Sequence, residues 1–116
     1  MVSQDNKILV LVIDDDVKIL DLIEKILKGT EFDVLKASNG HGGIKIAKKH
    51  KPSIILLDIL MPNYDGFMIS RAIKRNVDTK NIPIIFLTGI TPKEHIIEAI
   101  KAGTSDYLSK PFMPSD

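Results

Sequence analysis

Reactive or charged side chains stand behind apolar runs at four places in the 116-residue sequence. Asp14, Asp15 and Asp16 follow the run Ile8 to Ile13, Asp58 follows Ile54 to Leu57, Thr88 follows Ile84 to Leu87, and Lys110 comes shortly after Leu108. One of the three adjacent aspartates has an ordinary structural use, because Asp is among the strongest helix N-caps, and Asp16 suits that role. The other two repel each other by about 1 kcal/mol at 4 Å even in water, so Asp14 and Asp15 ask for a cation. A donor set made only of oxygens suits Mg²⁺, which takes one or two carboxylates together with water and a phosphate oxygen. The sequence has no Cys, and His41, His50 and His95 lack a ligand partner at metal-binding spacing, which argues against thiolate chemistry and zinc.

Asp58 interrupts a strongly apolar context, with Ile59, Leu60 and Met61 directly after it. It reads either as a turn cap ahead of Pro62, Asn63 and Gly66 or as a carboxylate nucleophile that forms an acyl phosphate. Phosphoryl transfer needs positioning and charge compensation more than covalent assistance. A metal, a hydroxyl and a fixed cation around one carboxylate are a sufficient toolkit for it. Thr88 or Lys110 alone would be routine, and their joint placement carries the weight.

These groups can meet only if the runs that precede them are neighbouring strands. Ile8 to Ile13 is apolar at every position and rich in β-branched residues, as expected of a parallel strand covered on both faces. Phe32 to Ala37, Ile54 to Leu57, Ile84 to Leu87 and Asp106 to Leu108 are its successors. Helical spacing fills the gaps. Leu20, Ile23 and Leu27 mark a first helix that Gly29 stops; the second runs about Gly42 to His50, with Gly40, Gly42 and Gly43 loosening its start. A third spans roughly Tyr64 to Lys74, and a fourth runs from Pro92 to Gly103. Alternating strands and helices at these spacings predict a doubly wound parallel sheet, whose ligands bind beyond the carboxyl ends of the strands.

The length fits a single domain, and 44% hydrophobic residues with a formal charge of +1 exclude a disordered tail and a global field toward nucleic acid or an anionic membrane. There is no long apolar run and no signal-peptide pattern, so the expected location is cytoplasmic and off the membrane. No basic recognition helix is visible either, so direct nucleic-acid binding by this segment is not expected.

The run Ile8 to Asp16, the segment Leu57-Asp58-Ile59-Leu60-Met61-Pro62-Asn63-Tyr64-Asp65-Gly66, the pair Leu87-Thr88, and Ala102 to Phe112 with Tyr107, Lys110 and Pro111 together resemble the receiver domain of two-component response regulators, of the chemotaxis-regulator type. The resemblance covers nearly the whole chain. It implies a flavodoxin-like, five-stranded α/β sheet of order 2-1-3-4-5. It implies that Asp58 is the phosphoryl acceptor, and that Asp15, Asp58 and the backbone carbonyl of Leu60 ligate Mg²⁺ while Asp14 acts largely through water. Thr88 would bond a phosphoryl oxygen, Lys110 would pair with the phosphoryl group, and Tyr107 would be the switch aromatic, a role weighed against that of an ordinary half-buried strand tyrosine. The only chemistry implied is the domain's own phosphorylation and dephosphorylation.

The implied partners are a sensor histidine kinase and a covalently attached output domain, with a homodimer as a further option. The sequence stops at Phe112-Met113-Pro114-Ser115-Asp116, where a fifth helix would begin. Residues 1–116 therefore read as a receiver domain cut from a longer protein, with the fifth helix missing or truncated. The alternative reading is a binding-only pseudo-receiver, against which the intact Asp14, Asp15, Asp58, Thr88 and Lys110 argue. A flavin module lacks a hydroxyl-rich loop after the first strand and a Trp, and a dinucleotide loop at Gly40 to Gly43 fails because position 45 is Lys.

Overall fold

The computed structural model describes residues 8–58, 60–61, 64–88 and 108–109. The expected fourth helix, Tyr107, Lys110 and the start of a fifth helix lie outside the described residues.

The all-apolar first run forms β1 (Ile8–Ile13), and its alternating side chains supply two cores. Val10 and Val12 enter one with Leu20, Ile23 and Leu27, while Leu11 and Ile13 enter the other with Ala47, Ile69 and Ile73. A strand buried on both faces has to be central in the sheet. Accordingly β1 pairs in parallel with β2 (Phe32–Ala37) on one side and β3 (Ile54–Asp58) on the other. A short hairpin of β4 (Leu60–Met61) and β5 (Tyr64–Asp65) precedes β6 (Ile84–Thr88) and β7 (Leu108–Ser109). The main sheet has the order β2-β1-β3-β6-β7, which is the expected 2-1-3-4-5 once the hairpin is set aside.

Helix α1 (Val17–Leu27) covers one face, and α2 (Gly40–His50) and α3 (Gly66–Arg75) cover the other. The Asp16 side chain caps α1 by accepting from the Lys18 N–H at 2.9 Å. Lys36 on β2 then reaches Glu24 and Asp21 of α1 at 2.9 and 3.2 Å, fastening helix to edge strand.

Two helix starts differ from expectation. Helix α2 begins at Gly40 rather than Gly42, because Asn39 caps it and accepts from the Gly42 N–H at 2.7 Å. The cap satisfies a terminal N–H and offsets part of the glycine cost. Gly43 itself is a close-approach residue: a Cβ there would lie 2.4 Å from Ile13 Cδ1. Helix α3 begins at Gly66 rather than Tyr64, because Tyr64 and Asp65 are paired with Met61 and Leu60, and Asp65 caps the helix through the Phe67 N–H at 2.8 Å.

Candidate functional site

Strand register brings the sequence-predicted carboxylates together. Ile13 is paired with Leu57, so the next positions, Asp14 and Asp58, sit beside each other at the carboxyl ends of β1 and β3. This is where the chain order reverses, since β2 and β3 flank β1, and such a switch point opens a crevice. Asp58 is the last residue of β3 and is paired with Leu87, which places the Thr88 backbone one step beyond it on β6. Thr88 in turn pairs with Ser109 of β7, the residue just before Lys110. The expected fifth strand, Asp106 to Leu108, is recognised from Leu108 onward.

The three adjacent aspartates take three different roles. Asp16 is the cap of α1. Asp14 is buried, 2% exposed, and its Oδ1 accepts from the Asp16 N–H at 2.9 Å, which holds the turn leaving β1. The Asp14 N–H donates to the Ala37 carbonyl at 3.1 Å, so the position is also tied to β2. Asp15 is exposed. Asp58, at 8% exposure, is nearly as deeply buried as Asp14.

One carboxylate oxygen from each of Asp14, Asp15 and Asp58 lies within 4.8 Å of the other two. At 4.8 Å each like-charged pair costs about 0.9 kcal/mol at the dielectric of water and about 3.5 kcal/mol at an effective value of 20. Two of the three carboxylates are buried, so the higher figure bears on them, a repulsion that a bound cation would offset. The donors are hard oxygens with no His or Cys among them, which fits Mg²⁺. Asp14, Asp15 and Asp58 are thus brought together as expected, and Leu60 is placed two residues beyond Asp58 on β4, paired with Asp65.

Two supporting features were not read from the sequence. The hairpin of β4 and β5 fastens the segment that leaves Asp58 back onto the start of α3. Gly43 lets α2 approach the residue that precedes Asp14. The spacing of Asn39 to Gly42 was the available signal for the helix start; the hairpin strands, two residues each, are too short to show alternation.

A doubly wound α/β fold with clustered carboxylates at its switch point defines a class of proteins that bind ligands beyond the carboxyl ends of their strands. Within it, the model of the response regulator receiver domain matches residues 10–116, and the chain belongs to that family. It is 36% identical over 103 residues to the DNA-binding dual master transcriptional regulator RpaA of Synechocystis, covering 89% of this chain and 43% of that protein. It is 34% identical over 112 residues to the transcriptional regulatory protein RprY of Bacteroides fragilis, covering 97% and 47%. Among solved structures it resembles Vibrio cholerae chemotaxis protein CheY4, with a TM-score of 0.73 at 29% identity over 94% of this chain and 91% of that one. The chain spans less than half the length of these two curated relatives. Membership makes it a signalling domain. No helix among the described residues is long and apolar enough to cross a membrane.

Proposed function

We propose that residues 1–116 form the phosphoacceptor domain of a longer cytoplasmic protein, switched by transfer of a phosphoryl group from a sensor histidine kinase to Asp58. The observation that carries this reading is the cluster of Asp14, Asp15 and Asp58, within 4.8 Å of one another at the switch point of the sheet. In the transfer, an Asp58 carboxylate oxygen forms a bond to phosphorus while the phosphorus–nitrogen bond of the phosphohistidine breaks and its electron pair returns to the imidazole. Reversal to the resting state is attack by water on phosphorus, which releases phosphate and regenerates the carboxylate.

Asp14, Asp15, Asp58 and the Leu60 carbonyl would hold Mg²⁺. Once bound, the ion offsets the negative charge of the carboxylates and of the arriving phosphoryl oxygens. Burial of Asp58 at the foot of the crevice limits competing water, and Asp14, fixed by the Asp16 N–H, keeps the turn after β1 in place. Lys110 supplies a point charge to the phosphoryl group, and Thr88 donates its hydroxyl to a phosphoryl oxygen. Phosphorylation replaces the single charge of the Asp58 carboxylate with a phosphoryl group of about −2 and three strong acceptor oxygens, which draw Thr88 inward and free space for the ring of Tyr107, which carries the state to the surface. The output lies in an attached domain, as the length of the regulator relatives supports.

The test is incubation of the chain with Mg²⁺ and acetyl phosphate, followed by intact mass measurement. A single phosphoryl adduct on the wild type that disappears in Asp58→Asn is the expected result. An unmodified wild type would leave a binding-only module, and an undiminished adduct on Asp58→Asn would place the acceptor elsewhere.

A further inference from the structure

The formal charge of +1 conceals an uneven distribution. Helix α2 carries Lys45, Lys48 and Lys49, and α3 repeats the pattern at the same spacing with Arg71, Lys74 and Arg75. Neither helix contains an Asp or a Glu. Positions i, i+3 and i+4 share one helical face, and all six residues are exposed. The two helices pack side by side on the same face of the sheet, over a common core. Among the described residues no carboxylate forms a salt bridge with any of the six; Lys74 donates instead to the Ile82 carbonyl at 2.9 Å, which fixes its position and leaves its charge.

Complementing the helix dipole explains a cation or two in each last turn, but not two matching triads without one acid between them. Helix α1, on the opposite face, mixes Lys18 and Lys25 with Asp21 and Glu24. A connecting helix runs back along a parallel sheet, so the basic halves of α2 and α3 lie toward the end where the strands begin, away from Asp14 and Asp58.

We propose that the outer face of α2 and α3 docks on the phosphate backbone of double-stranded nucleic acid, without reading its sequence. Its chemistry separates this partner from two others. An amphipathic membrane contact needs large apolar residues among the cations, but the outward residues of α2 are His41, Lys45, Lys48, Lys49 and His50, and the exposed apolar residues of α3, Phe67 and Met68, stand in its first turn, at the other end from Lys74 and Arg75. The core of a protein interface is depleted in Lys, which dominates this face. Phosphate contacts need only fixed cations at a regular spacing. The near-neutral total still excludes a global field; the attraction is local. It is independent of the phosphorylation reading, because the two sites occupy opposite ends of the sheet.

The test is fluorescence anisotropy of a short labelled duplex of arbitrary sequence titrated with the unphosphorylated chain. With four phosphates neutralised, log K should fall against log salt with a slope of about −3.6, so binding weakens about 150-fold between about 50 and 200 mM salt. The triple variant Lys45→Gln, Lys48→Gln, Lys49→Gln should flatten the slope by about 2, and Arg71→Gln with Arg75→Gln should flatten it by about 1 to 2, at about 0.9 for each phosphate no longer neutralised. Removing charges from the end of α1 instead, Lys25→Gln with Lys28→Gln, should leave binding and slope unchanged. Far-UV circular dichroism melts confirm that each variant is folded, and the two independent sets keep the test decisive if one of them does not fold. No binding at low salt, binding insensitive to salt, wild-type slopes in both sets, or tighter binding to phosphatidylserine vesicles than to the duplex would each overturn the proposal.

Discussion

Gly43→Ala sets two physical rules against each other. In a helix interior, Ala is favoured over Gly by about 0.8–1.0 kcal/mol, so propensity alone predicts a more stable protein. The structure predicts the opposite. The added Cβ would stand 2.4 Å from Ile13 Cδ1, 2.7 Å from Cγ1 and 3.3 Å from Cγ2. Ile13 is fully buried between the sheet and α2, so it can yield only by leaving its rotamer or by moving the backbone, at a typical cost of about 1–3 kcal/mol. The net expectation is a loss of up to about 2 kcal/mol. Ile13→Ala removes all three of these atoms and costs about 2–5 kcal/mol by itself. In that background Gly43→Ala should be neutral or stabilising, giving a coupling of at least about 1 kcal/mol. Urea denaturation followed by far-UV circular dichroism measures all four corners of the cycle, and suits a chain without Trp. If Gly43→Ala stabilises the protein by the full propensity gain and the cycle shows no coupling, the close packing of α2 on β1 is wrong.

Three further outcomes follow from the same geometry. In EDTA, Asp15→Asn should stabilise the fold by about 1–2 kcal/mol, because it relieves two repulsions, and it should weaken the rise in melting temperature that Mg²⁺ produces in the wild type; a variant less stable than wild type in EDTA would contradict the charge argument. Thr79, fully buried, donates its hydroxyl to the Ile73 carbonyl at 2.7 Å, so Thr79→Val should cost about 1–3 kcal/mol by denaturant titration. The Lys36 ammonium is held above its ordinary value of 10.5 by hydrogen bonds to Glu24 and then Asp21. A raised folded-state value means that its contribution is present in full below pH 10.5 and is lost as pH rises through the folded value. The difference in melting temperature between wild type and Lys36→Met should therefore shrink above pH 10.5, and a difference that grows there would reverse the sign.

The strands and the acidic cluster were legible because burial on both faces leaves its mark in the sequence. Ile8 to Ile13 has to be central, and a central strand ending in Asp14 has to meet whatever ends its neighbour. The pairing of Ile13 with Leu57 turned that expectation into a juxtaposition with Asp58. Helix starts were less legible, since Asn39 and Asp65 act through a single side-chain bond that competes with the residues around it. The glycines ahead of α2 read as a weakness when taken locally. Gly43 makes sense only against Ile13, far away in the chain, which is a tertiary fact with no local trace. The basic face was hidden for a similar reason, because a total of +1 averages α2 and α3 with the acidic crevice at the far end of the sheet.

The central claim is that Asp58 itself receives the phosphoryl group. It is tested most directly by treating the Mg²⁺ and acetyl phosphate product with borohydride, which reduces an acyl phosphate to the alcohol, and locating the change by peptide fragmentation. Homoserine at position 58, absent when Mg²⁺ is replaced by EDTA, is the predicted result. Reduction at Asp14 or Asp15, a stable phosphate ester on Thr88, or no modified peptide at all would contradict it.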